Sequence, residues 1–92
     1  QAERELDKLA EQRHRDPDIW YQVAEVRGLS GNIVGLHQAR AEYFALVGDY
    51  DQAIEPLDLA KRRASNFQVG ARIDARQKQL IEEKRMVEDM LR

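Results

Sequence analysis

The side chains best suited to metal ligation or proton transfer are two histidines, His14 and His37, and their placement argues against both roles. They stand 23 positions apart, with no second histidine at the spacing that would set two ligands on one helical face, and the chain has no cysteine. The His-Glu-x-x-His arrangement, in which one helix turn presents two zinc ligands and a general base, is absent. His14 reads as a cation closing a helix, and His37 as an imidazole packed between helices. Ser30 and Ser65 fall in turn sequences with no base nearby, so both read as turn or cap residues rather than nucleophiles. The carboxylates lie mostly in charged, water-facing runs, whereas an acid–base pair needs a pocket that drives two pKa values apart. The sequence therefore predicts no catalytic residue, no metal, no cofactor and no enzyme activity within this chain.

The elements around these residues read as helices. Glycine and proline punctuate the 92 residues into five stretches, and none shows the two-residue alternation of a half-buried strand. The first helix is expected from Ala2 to about His14, with Leu6, Leu9 and Ala10 on one side. Asp16 should cap a second helix with Pro17 in its first turn, carrying Trp20, Val23, Ala24 and Val26 and stopping at Gly28 to Gly31. Asn32 should open a third helix running to about Val47, and Gly48-Asp49 the turn into a fourth, Tyr50 to about Ala64. Pro56 lies inside that fourth helix, where it removes the amide that would bond the Gln52 carbonyl, so a bend with Gln52 toward water is expected. Ser65 or Asn66 should cap the fifth and longest helix, free of breakers from Ala71 to Arg92. Its stripe of Val69, Ile73, Leu80, Ile81, Val87 and Leu91 faces away from Arg72, Asp74, Lys78, Glu82 and Arg85.

Within this helical chain, Ala41, Phe44, Gly48, Ala53, Leu57 and Ala60 fall at the spacing of the tetratricopeptide repeat, whose pattern spans about 34 residues. Small residues at 41 and 53 let two helices approach closely, and Phe44 and Leu57 fill what remains. His37 stands where that pattern usually has Trp, Arg40 where it has Leu, and Ser65 where it has Pro. Trp20 and His37 are 17 positions apart, half a repeat, so the third helix can belong to either of two registers. The fold expected is an all-α, right-handed superhelical stack of about five helices, or two and a half hairpins, in a single domain closed by a long C-terminal capping helix. A chain of this length buries only about two-thirds of its unfolded surface, which leaves room for one modest core.

In such a stack the candidate partner-binding residues are Gln38 and Glu42 in one register, Tyr21 and Glu25 in the other, together with Arg40 and Tyr43. Trp20, Tyr21, Tyr43 and Tyr50 offer aromatic anchors, although Trp20 and Tyr50 sit in slots that normally build the core. The carboxylates of Glu42 and Glu25 would repel a partner's terminal carboxylate, so that mode of capture is not expected. Arg40 should pack its stem between helices and pair its guanidinium with Glu25 or Asp58. Lys61-Arg62-Arg63 could meet an acidic partner, but it also complements a helix C-terminus.

Charged residues make up 35% of the chain, yet the signs are interspersed and the net charge is −2, so no nucleic-acid surface is predicted. No apolar run approaches the roughly 20 residues of a membrane span. The absence of cysteine fits an oxidising compartment as well as a reducing one. The first residue is Gln1 rather than Met, which suggests a fragment of a longer protein.

The runs Asp16-Pro17-Asp18-Ile19-Trp20, Val34-Gly35-Leu36-His37-Gln38-Ala39-Arg40-Ala41-Glu42-Tyr43-Phe44 and Gly48-Asp49-Tyr50-Asp51-Gln52-Ala53-Ile54 resemble the C-terminal tetratricopeptide region of BepA-like periplasmic zinc metallopeptidases. The resemblance covers about Asp16 to Leu91. It implies a periplasmic location, a zinc-peptidase domain upstream, and repeats that engage the outer-membrane barrel-assembly machinery and its clients. The function expected is a protein-interaction module that recruits substrates or partners for such an envelope metallopeptidase in outer-membrane protein quality control. The alternative is a structural element that forms a homodimer through the C-terminal helix, where Ile73, Leu80 and Val87 recur at heptad spacing.

Overall fold

The computed structural model describes residues 2–91, with side chains from Arg4 onward. Among these residues there is no strand, and five helices follow in chain order: α1 (Ala2–Gln12), α2 (Pro17–Leu29), α3 (Ile33–Leu46), α4 (Tyr50–Arg62) and α5 (Phe67–Met90). The principal contacts run between consecutive helices, so each packs on the one before and the one after.

The helix starts are set locally. Asp16, Asn32, Asp49 and Asn66 each accept a hydrogen bond from a backbone amide of the first turn that follows, at Asp18, Gly35, Gln52 and Val69 respectively. Two helix ends are closed in the same way. The amide of Asn32 donates to the Arg27 carbonyl and that of Gly31 to Gly28, while Asp49 donates to Phe44 and Gly48 to Ala45. This double bond pattern needs a left-handed residue after the helix, and Gly31 and Gly48 supply it at φ of 83° and 85°. Both turns therefore consist of a left-handed glycine followed at once by the Asx cap of the next helix. They repeat at the 17-residue spacing of Trp20 and His37, which is why two registers fit the sequence.

Two apolar cores share α3. Ala10, Ile19, Val23, Ala24 and Ala39 form one, with Leu6, Leu9, Trp20 and Leu36 against it. Ala41, Ala53, Leu57, Ala60, Ile73 and Leu80 form the other, with Val34, Phe44, Tyr50 and Ile54 at its edge. Ala39 and Ala41 lie on different sides of α3, so this helix is apolar toward both neighbours. The small residues expected at the close approach are all fully buried: Ala41, Ala53 and Ala60 are each 0% exposed.

Several boundaries differ from the expectation. α1 ends at Gln12, and Arg13, His14 and Arg15 lie in the turn beyond it, where the His14 carbonyl accepts a hydrogen bond from Trp20 Nε1 at 2.9 Å. α5 begins at Phe67 and runs through Gly70; its expected end at Arg92 lies outside the described residues. Its buried stripe is shorter than expected. Ile81 and Leu91 are exposed, and Gln77 is buried between Ile73 and Leu80, donating through Nε2 to the Ile54 carbonyl and to Asp58 Oδ1. α4 continues through Pro56, and Gln52, whose carbonyl lost its amide partner to that proline, is on the exposed side.

Candidate functional site

α2 and α3 enclose an open cleft of about 340 Å³. Tyr21, Ala24 and Glu25 line it from α2, one turn apart on a single face, and Leu36, Arg40, Tyr43 and Phe44 line it from α3 at the same periodicity. Ala24 is buried and small, and its missing bulk leaves the depression that the aromatic side chains surround. The Tyr21 and Tyr43 rings meet edge to face at 5.7 Å between centroids, and Tyr43 meets Phe44 in the same manner at 5.2 Å. Such pairs are worth about 0.5–1.5 kcal/mol beyond burial and hold the rings in place. Tyr21 nevertheless remains 59% exposed, so much of its ring is presented to solvent.

The six candidate residues divide between two sides of α3. Tyr21, Glu25, Arg40 and Tyr43 converge on the cleft. Glu42 projects toward α5, where Arg76 grips it in a fork: Nε to Oε2 and Nη2 to Oε1, both at 2.8 Å. That contact, with desolvation opposing it, raises the Arg76 pKa above its ordinary value. Gln38 lies one turn before Glu42 on the same side and is half-buried. The repulsive charge expected of Glu42 is thus neutralised inside the fold.

Arg40 also departs from expectation. It is exposed, and it makes no ion pair among the described residues. Asp58, one of its two expected partners, receives the Gln77 amide at 2.7 Å instead, and Glu25 stands in the cleft without a counter-charge. Beside Arg40, His37 is half-buried with Nδ1 unpartnered, and its pKa is lowered by burial and then by the charges of Arg40 and Arg63. The other cations on the packed faces are matched: Arg27 with Asp7 at 2.9 Å, Lys61 with Asp74 at 3.0 Å, and Lys84 with Asp51 at 2.6 Å.

Sequence reasoning missed Leu36, Phe44 and Ala24 as cleft residues. The signal that would have found Leu36 and Phe44 is their i−4 and i+4 spacing from Arg40. Among the described residues, no group of three or more His, Asp or Glu side chains is arranged to hold a metal ion, and no helix is long and apolar enough to cross a membrane. No protein-family model matches this chain, and neither does any curated protein.

Proposed function

We propose that the chain is a protein-interaction module that seats a segment of a partner protein in the cleft between α2 and α3. One observation carries this reading. Two helices bring exposed aromatic edges and two unpaired charges of opposite sign around a single open depression. Aromatic side chains already fixed by edge-to-face packing give contact area at little entropic cost, which is what a peptide-binding surface requires. Selection of a displayed library of random dodecapeptides on the immobilised domain tests it. Enriched peptides should lose binding to the Tyr21→Ser variant at a temperature well below its melting midpoint, where its helix content matches that of the wild type. Failure to enrich any peptide, or equal binding to the variant, refutes the proposal.

The narrower proposal is that this module recruits clients for a BepA-like periplasmic metallopeptidase acting on outer-membrane protein assembly. Its support is the resemblance carried by the runs from Asp16 to Ile54, together with burial of the small residues Ala41, Ala53 and Ala60 at the slots where that pattern needs them. Capture of purified barrel-assembly components by the domain is the corresponding test. A second reading, self-association through α5, cannot use the heptad expected of it, because Ile73 and Leu80 are buried in the core at 1% and 0% exposure; what favours it instead is Met86, Met90 and Leu91, 58%, 77% and 82% exposed at the end of the helix. Light scattering over a concentration series should then show a mass that rises to twice that of the chain. A constant monomer mass sinks it.

A further inference from the structure

The chain has two methionines and no cysteine, so its only sulfur atoms are the thioethers of Met86 and Met90. Methionine is usually a core residue, yet these two are 58% and 77% exposed. They stand four positions apart at the end of α5 and share one helical face, with Cβ atoms about 5–6 Å from each other. The pairs Lys61–Asp74 and Lys84–Asp51 set α5 antiparallel to α4, and its last turn lies beyond the first residue of α4. Each methionine side chain is unbranched and freely rotating, so the two sulfurs can converge on one point. The surroundings of the pair are negative. α5 has no basic side chain in its last turn, so the partial negative charge of its C-terminal carbonyls is not countered from within that turn. Lys84 is taken up by Asp51 and Arg85 by Glu82, whereas Glu88 and Asp89 make no ion pair among the described residues.

We infer that Met86 and Met90 chelate one soft monovalent cation, Cu(I) or Ag(I), through their two sulfurs. Donor chemistry carries the assignment. A thioether is a neutral, polarizable donor that selects soft ions, whereas zinc binds imidazole, thiolate or carboxylate, and calcium or magnesium needs a set of oxygens. A closed-shell monovalent ion accepts as few as two donors on opposite sides, which two flexible side chains on one helical face supply. The negative end of α5 attracts any cation and does not choose among them; the sulfurs make the choice. The site is separate from the cleft between α2 and α3, and it uses a donor type that the imidazoles and carboxylates of this chain do not provide.

Silver nitrate in a chloride-free buffer is the probe, because Ag(I) has the softness of Cu(I) without its sensitivity to air. The full chain is labelled with carbon-13 at the methionine methyl groups, and with two methionines the methyl spectrum holds two resonances. Both should shift together over the first equivalent of silver and stop moving at one ion per chain. Zinc sulfate at the same concentration should leave them in place. Met86→Leu and Met90→Leu should each weaken silver binding by about tenfold or more, since the remaining sulfur loses the advantage of a tethered second donor. Leucine nearly conserves volume and both positions are exposed, so the melting temperature of each variant should match that of the wild type. A first equivalent that moves only one methyl, or neither, overturns the inference. So does a leucine variant that binds silver as tightly as the wild type, or saturation at one ion per two chains, which would mean a bridge between copies instead of a chelate within one.

Discussion

Replacement of Ala53 by leucine tests the packing that places every other residue. Ala53 is 0% exposed and lies with Ala41, Leu57 and Ala60, also buried, at the seam of α3 and α4. Leucine adds three carbon atoms. Were there space for them, their burial would contribute roughly 0.8 kcal/mol each, or about 2.4 kcal/mol of added stability. Neither Ala53 nor Ala41 lines the α2–α3 cleft, so the added atoms have only their neighbours to displace. The expected result is the opposite sign, a loss of about 1–3 kcal/mol as the two helices are wedged apart. For a domain of this size each kcal/mol moves the midpoint by about 4–8 °C, so the melting temperature should fall by at least about 4 °C. Thermal melts followed by far-ultraviolet circular dichroism, with urea titrations to obtain the free energy, give the measurement. Ala53→Ser serves as the control that nearly conserves volume. A midpoint that is unchanged or raised by leucine would show that the seam can open cheaply, and the close-approach argument would fail with it.

The pH dependence of stability has a defined sign at His37. Its folded pKa lies below the ordinary 6.5, so the unfolded chain binds the proton more readily. The contribution to stability is full above pH 6.5 and is lost as the pH falls below that value through the folded pKa. Melting temperatures taken between about pH 7.5 and 5.5 should decline more steeply for the wild type than for His37→Gln, and equal slopes would refute this. Gly35→Ala should be destabilising although alanine is the better helix former by roughly 1 kcal/mol. A Cβ there would stand 2.5 Å from the Asn32 side-chain nitrogen and 2.8 Å from Arg27 Cδ. The Asn32 cap and the Arg27 bond to the Gly35 carbonyl would both be disturbed, for a net loss of about 1 kcal/mol. A higher denaturation midpoint for this variant would contradict the account.

What was legible in the sequence is what short-range chemistry decides. Asp16, Asn32 and Asn66 cap their helices because an Asx side chain before a helical run meets a free amide, and that needs no knowledge of the rest of the chain. Ala41, Ala53, Leu57 and Ala60 were readable because their spacing alone puts them on facing surfaces. Arg40 was misplaced because a slot in a repeat pattern implies a position without specifying its neighbours. Ala24, on another helix, leaves the opening that exposes it. Glu42 and Arg76 are 34 positions apart, and the fork between them depends on how α5 lies across α3, which no local pattern encodes. Gln77 escaped because a polar residue interrupts an apolar stripe, and only the Ile54 carbonyl and Asp58 make its burial tolerable.

The sharing of α3 by two cores bears on how the domain comes apart. Ala39 belongs to one core and Ala41 to the other, and only two positions separate them along the same rigid helix. A displacement of α3 that loosens its hold on α2 must also shear its contacts with α4, and the Glu42–Arg76 fork carries the same movement into α5. The chain should therefore melt as one cooperative unit rather than as two hairpins that open in turn, with near- and far-ultraviolet circular dichroism giving coincident transitions. An occupant that stiffens the α2–α3 cleft raises the cost of opening α4 and α5, which it never touches, and amide exchange in α5 would slow when the cleft is filled.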